Sequence, residues 1–278
     1  MKNLCLVLVL ITILLMLYLF LIAPRMWKKP DRTPLLNVLY AHRGLFDNKT
    51  DAPENSLPAF QKAVKAGYGI ELDVQLSKDG IPVVFHDASL KRMCGVEGNV
   101  WDYPLSELKQ LKLADSNAEV PTLAEVLDVV DGKVPLIIEY KLYVPQTKVC
   151  RLVNDLLRSY TGAYCIESFH PLALIWYRRH RPDVVRGQLC MEFWNEDKYR
   201  GNPFFFVLSY LVTNAAARPD FIAYKHSDAS NLSFRLTKRM GALAVAWTIK
   251  SQTQLEEAKK HFDLFIFDSF IPKKESPL

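Results

Sequence analysis

Glu71 and Asp73 stand two residues apart in Gly69-Ile-Glu-Leu-Asp-Val74, so on an extended strand both carboxylates point to one face. Ion pairs with lysines would suit an exposed strand. On a buried strand two like charges repel and are costly to desolvate, and a divalent cation relieves both penalties. Glu139 follows the apolar run Pro135-Leu-Ile-Ile138 and offers a third oxygen ligand. Three carboxylates with no cysteine nearby select one hard ion, Mg2+ or Ca2+, over zinc. Lys141, two residues on and facing the same side, could hold a phosphate oxygen as a point charge. His42 and His86 each end an apolar run, and each has a charged neighbour, Arg43 and Asp87. Imidazole as a side-chain type titrates near neutral pH, so two flanking a bound substrate can supply one base and one acid. The set points to metal-assisted acid–base catalysis. The remaining histidines at 170, 180, 226 and 261 read as incidental, although His226 follows a predicted strand and could approach the site.

These residues need a scaffold that brings strand ends together. From about Asn37 onward, short apolar runs alternate with helix-like segments, the pattern of a parallel sheet with crossover helices. Strands are expected at 38–42, 69–74, 134–140, 164–167, 184–189, 221–224, 243–249 and 264–267, with helices between them such as 57–66 and 123–130. Thr122 with Glu125 three residues later forms a capping box at the start of the second of these helices. Eight strands fit a (β/α)8 barrel of the TIM type, whose active sites lie at the C-terminal rim. The run 81–86 follows the second strand after only Ser77-Lys78-Asp79-Gly80. That is too short for a parallel crossover, so an antiparallel hairpin projecting above the barrel is expected. A four-residue loop would pair Leu76 with Ile81, and hence Glu71 with His86.

The chain has 278 residues, half of them hydrophobic, and a formal net charge of +5. Residues 4–22 form an uncharged run of 19 with Thr12 its clearly polar member. As a helix this spans about 28 Å, close to the hydrocarbon thickness of a bilayer. It is longer than the apolar region of a signal peptide, so residues 1–23 are read as a retained transmembrane anchor. Residues 24–36 then form a linker and 37–278 the catalytic domain. Lys2 precedes the run while Arg25, Lys28, Lys29 and Arg32 follow it, which puts the catalytic domain in the cytoplasm by the positive-inside rule. The basic cluster could also meet anionic lipid headgroups. The charge is too mild to suggest nucleic acid, and no recognition motif of that kind is present. Five cysteines without a CxxC pair imply neither a disulfide framework nor a zinc site.

Ala41-His-Arg-Gly44, Pro53-Glu-Asn55, IELDVQLSKDG at 70–80, VVFHD at 83–87, PTLAEVL at 121–127 and IEYK at 138–141 resemble the glycerophosphodiester phosphodiesterase family. ESF at 167–169 and WT at 247–248 are similar to its later signatures. The resemblance covers about residues 38–270 and implies a TIM barrel with an insertion after the second strand, here about 77–120. It implies that Glu71, Asp73 and Glu139 bind the metal and that His42 and His86 are the general acid–base pair. By the same resemblance Arg43 contacts the phosphate, Glu54 supports the site and Lys141 is a second phosphate contact. The implied reaction is hydrolysis of a glycerophosphodiester to glycerol 3-phosphate and an alcohol. Ser56 stands where the family more often has threonine, and in Ile266-Phe-Asp-Ser269 Phe267 precedes the aspartate where a threonine is commoner, so no role is assigned to Asp268.

Residues 190–219 separate two strands by more than a helix needs and contain the apolar run 203–212, too short to cross a bilayer. It is read as a helix packed over the sheet, the alternative being an apolar lip that dips into lipid or receives an acyl chain. Two other functions stand beside the first: a lysophospholipase D-type activity on membrane lysolipids, and a membrane-tethered binder of phosphorylated ligands without turnover.

Overall fold

The computed structural model describes residues 2–143 and 146–273, so the last five residues of the expected 37–278 domain lie outside the described residues. Helix α1 (Lys2–Ile22) comes first, and its side chains from residue 4 to 17 are exposed. It is long and apolar enough to cross a membrane. The chain then alternates: β1 (Leu39–His42), α2 (Leu57–Ala66), β2 (Gly69–Leu76), β3 (Pro82–Val84), the short α3 (Lys91–Cys94) and α4 (Leu105–Leu108), then α5 (Leu123–Val130) and β4 (Leu136–Tyr140). It continues through α6 (Lys148–Leu157), β5 (Tyr164–Ser168), α7 (Pro171–His180), β6 (Arg186–Cys190), α8 (Pro203–Ser209) and α9 (Asn214–Ala217). It closes with β7 (Phe221–Lys225), α10 (Leu232–Arg239), β8 (Leu243–Ile249), α11 (Gln252–Ala258) and β9 (Leu264–Phe267).

Among the described residues, eight of nine strands run parallel in the order β1-β9-β8-β7-β6-β5-β4-β2, and β1 pairs with β2 to close the barrel. The strands are mostly buried on both faces because both are covered. Tyr40, Ile137, Cys165, Leu189, Ala223, Val245 and Ile266 fill the interior. The alternate residues, such as Leu72, Ile138, Ile166 and Ile222, pack against the helices. Both helices expected from sequence begin and end where the pattern put them, and the Thr122–Glu125 capping box is formed.

The insertion after β2 has its own small core around Phe85, Leu90, Met93, Val100 and Leu108. Its hairpin is antiparallel as expected, but the register is not the expected one. Leu76 pairs with Pro82, Gln75 with Val83 and Val74 with Val84, a shift of one residue. The cause lies in the turn. Ser77 N–H donates to the Ile81 carbonyl at 3.0 Å, so Ile81 belongs to the connection, and Gly80 supplies its left-handed residue at φ +83°. A one-residue slip exchanges the two faces of a strand, so Glu71 and His86 are not cross-strand partners.

The segment 24–36 is bound along the N-terminal face of the barrel. Arg25 Nη1 donates to the Pro182 carbonyl at 2.7 Å, Lys29 Nζ to that of Gly241 at 2.8 Å, and the Tyr40 hydroxyl to that of Leu35 at 2.8 Å.

Candidate active site

Strand register assembles the site. His42 lies beside Glu71 across β1–β2, Asp73 beside Glu139 across β2–β4, and Glu139 beside Glu167 across β4–β5. All point into the barrel at its C-terminal rim. One ligand oxygen from each of Glu71, Asp73 and Glu139 lies within 4.8 Å of the other two, and all three residues are buried. A cavity of about 70 Å3 is lined by His42, Arg43, Glu71, His86, Glu139, Lys141 and Glu167.

The electrostatics of this cluster favour a divalent ion. Four buried carboxylates, with Glu167 the fourth, face two partly buried cations, Arg43 and Lys141. Burial together with Asp73 and Glu139 raises Glu71 well above the usual carboxylate range, and burial with Glu139 does the same to Glu167. Burial also raises Glu139. Asp73 goes the other way: burial acts against ionisation, but Lys141, His86 and Arg43 outweigh it. A second oxygen of Asp73 accepts from Asn55 Nδ2 at 2.7 Å, which orients the carboxylate. Clustered, desolvated oxygens with an excess of negative charge suit a hard cation. No sulfur donor takes part. Lys141 Nζ bridges Asp73 at 2.9 Å and Glu139 at 2.7 Å.

Arg43 and Asn55 both take left-handed backbone conformations, at φ 56° each. The turn aims Arg43 N–H at Glu71 Oε2, 3.1 Å away, while Asn55 N–H donates to the Arg43 carbonyl at 2.9 Å. Glu54 accepts from the Arg43 guanidinium at 2.7 Å and from two Arg92 nitrogens at 2.7 and 2.9 Å. Burial would raise Glu54, but the Arg92 hydrogen bonds and the Arg43 charge prevail and hold it at about 2.

Each histidine has an aspartate on Nδ1. His42 donates to Asp268 at 2.8 Å, and His86 to Asp87 at 2.6 Å. Such a partner fixes the tautomer and leaves Nε2 free for proton transfer. His42 Nε2 lies 3.9 Å from Glu71 Oε2. Burial lowers the His42 pKa against the opposing pull of Asp268. His86 comes after the last hairpin pair and is held from outside it, by Asp87 and by the Tyr143 hydroxyl on its carbonyl.

The structure thus brings together His42, Arg43, Glu54, Glu71, Asp73, His86, Glu139 and Lys141. Sequence reasoning left Asp268 without a role, and it is the partner of His42. It also passed over Glu167, although Glu167 ends an apolar strand just as Glu139 does. His226 lies outside the cluster, in a turn after β7.

A larger cavity of about 450 Å3 shares His86, Glu139 and Lys141 with the site and continues along Phe169, Phe193 and Phe205 beneath α8. Within residues 203–212, helix α8 packs one face on the barrel, with Leu208 and Leu211 buried and Phe205 against the core, and leaves the other face open. α8 is seven residues long, and Phe204, Phe206, Val207 and Tyr210 remain exposed.

Residues 42–266 match the glycerophosphoryl diester phosphodiesterase family. A glycerophosphodiester phosphodiesterase of Caldanaerobacter subterraneus is 34% identical over 190 residues, covering 61% of this chain and 76% of its own length. One from Bacillus altitudinis is 40% identical over 172 residues, covering 56% and 68%. A phosphodiesterase of Oleispira antarctica, solved with the product sn-glycerol-3-phosphate, superposes with a TM-score of 0.67 at 25% identity over 84% of this chain and 94% of its own. The Thermotoga maritima glycerophosphodiester phosphodiesterase does so with a TM-score of 0.63 at 28% identity over 84% and 95%. With the family match running from the end of β1 into β9 and including both His42 and His86, this chain belongs to the glycerophosphoryl diester phosphodiesterase family and is a phosphoric diester hydrolase.

Proposed function

We propose that the chain hydrolyses glycerophosphodiesters to glycerol 3-phosphate and an alcohol, with Glu71, Asp73 and Glu139 holding one Mg2+ or Ca2+ and His42 and His86 as the acid–base pair. The observation that carries this is the single small cavity bordered by both histidines and two of the three carboxylates. Attack on a diester builds negative charge on the non-bridging oxygens, which the bound ion would help to neutralise as a Lewis acid. Arg43 and Lys141 add positive charge to the phosphate from the protein side. One imidazole takes the proton of the nucleophile while the other protonates the departing alkoxide, each held in its tautomer by its aspartate. The nucleophile is water or the substrate's own glycerol 2-hydroxyl, and a cyclic glycerophosphate trapped in a quenched time course would mark the second route. Glu54 supports Arg43 from behind. Residues 1–23 anchor the domain 37–278 to the membrane through 24–36, on the cytoplasmic side by their charge flanks.

His42→Ala and His86→Ala are expected to lower turnover by roughly 10²–10⁴-fold while calorimetric affinity for Mg2+ or Ca2+ stays unchanged. Glu71→Ala and Asp73→Ala are expected to weaken the affinity itself. Wild-type turnover in either histidine variant would refute the assignment.

The apolar cavity beside the site favours a second reading for the substrate, a lysophospholipid cleaved in lysophospholipase D fashion with its acyl chain along Phe169, Phe193 and Phe205. A chain that only binds phosphorylated ligands is the weaker reading, because both histidines and all three carboxylates are present and aligned.

A further inference from the structure

The end of α1 is docked on the barrel, and the docking has a direction. The Tyr18 hydroxyl meets Ser233 Oγ at 2.6 Å, and Thr237 Oγ1 donates to the Ile22 carbonyl at 3.3 Å. Asn214 Nδ2 donates to the same carbonyl at 2.9 Å, and Arg218 reaches the Phe20 and Ala23 carbonyls at 2.8 Å each. Ser233 lies at the start of α10, which follows the C-terminal end of β7; Thr237 is one turn further from the catalytic rim. α1 therefore lies beside α10 with the same polarity, and residues 2–17 project past the rim that holds the active site. Beyond Ile22 the chain continues away from that rim to the opposite face. Arg25 N–H donates to the Pro219 carbonyl at 2.9 Å, and Lys29 to that of Gly241, both just before β7 and β8 at the opposite face.

Length then constrains depth. Residues 2–17 reach about 24 Å at 1.5 Å each, short of the roughly 30 Å of a hydrocarbon core. To span it, the stretch docked beside Ser233 must lie at the lipid boundary, and the rim lies there with it. The distribution of exposed apolar side chains agrees. Among the described residues after the 24–36 segment, large exposed apolar side chains occur on rim connections: Ile81 on the hairpin, Tyr143 after β4, Trp194 and the α8 segment, Leu232 at the start of α10, and Ile271 after β9. Phe206 is 48% exposed, Leu232 58% and Ile271 63%. At the opposite face the exposed pair is Met26 and Trp27, within 24–36. A ring of apolar and aromatic side chains around one mouth is what an interfacial surface requires.

We infer that the barrel mouth faces the bilayer, with Trp194 and α8 immersed at the interface, so that the diester is drawn from a lipid surface through the cavity under α8. This rests on the phosphodiesterase reading and on α1 spanning the membrane.

Two measurements on the full chain in phosphatidylcholine vesicles test it. In the first, lipids brominated on their acyl chains quench tryptophan emission. Trp194→Phe is expected to remove most of the quenching difference and Trp27→Phe none of it. Quenching that survives Trp194→Phe, or that disappears with Trp27→Phe, overturns the orientation, and this measurement needs no turnover. In the second, Phe206→Asp is expected to lower hydrolysis of vesicle-borne lysophosphatidylcholine by about tenfold or more while leaving soluble glycerophosphocholine within about twofold. Equal losses on both substrates, or no loss on either, overturn the lip. Absence of glycerophosphocholine hydrolysis by the wild type would instead refute the phosphodiesterase reading.

Discussion

At the scale of single residues, the site is built from paired charges whose partners decide their behaviour. Asp268 accepts from His42 Nδ1 and so holds the ring with Nε2 toward the cavity. Asp268→Asn would favour the wrong tautomer, and buried aspartate–histidine pairs of this kind lose on the order of 10²–10⁴ in turnover on that change. The expected outcome is a fall in kcat with metal affinity intact; unchanged kcat would leave Asp268 a merely structural group. Glu54 carries a stability prediction. Its folded pKa, about 2, lies below the ordinary value of 4.5, so its contribution is fully present above about pH 4.5 and is lost as pH falls toward 2. Glu54→Gln should therefore destabilise the protein by about 3 kcal/mol at pH 7, measured by denaturant unfolding, with the difference from wild type shrinking below pH 4. Asp268 was hard to see in the sequence because its meaning lies in β9 closing onto β1, a contact between the two ends of the barrel.

At the scale of elements, periodicity disclosed most of what the fold needs. Strand ends carried the carboxylates, and the capping box marked α5. The hairpin register was not legible, because Ser77 and Gly80 draw Ile81 into the turn through local hydrogen bonds that hydrophobic pattern does not report. α8 was legible as a helix but not in which of its faces is covered: Leu208 is buried, whereas Phe204, Phe206 and Val207 stand exposed, and an unbroken apolar run does not tell the two faces apart. The barrel interior gives a further test. Gly187 on β6 faces Phe221 on β7, and a Cβ at Gly187 would run into the Phe221 ring. Gly187→Ala should cost about 1–3 kcal/mol in thermal unfolding by overpacking. A neutral result would mean that the ring has room to move.

At the scale of the whole molecule, the barrel gathers residues from positions 42 to 268 into one rank of acids flanked by two imidazoles, and contacts with α10 hold the end of α1 at a fixed place relative to that rank. The metal cluster was legible because Glu71, Asp73 and Glu139 each interrupt an apolar strand, a cost that only a bound cation or a cationic partner offsets. The placement of the mouth was not legible, since it follows from side-chain contacts between α1 and α10, far apart in sequence. Release of glycerol 3-phosphate from glycerophosphocholine, followed with EDTA and then with Mg2+ or Ca2+ restored, probes the carboxylate rank as a whole. Activity should fall by at least about a hundredfold with the chelator and return with either hard ion. Turnover that continues undiminished after complete removal of divalent ions would contradict a metal-binding role for Glu71, Asp73 and Glu139.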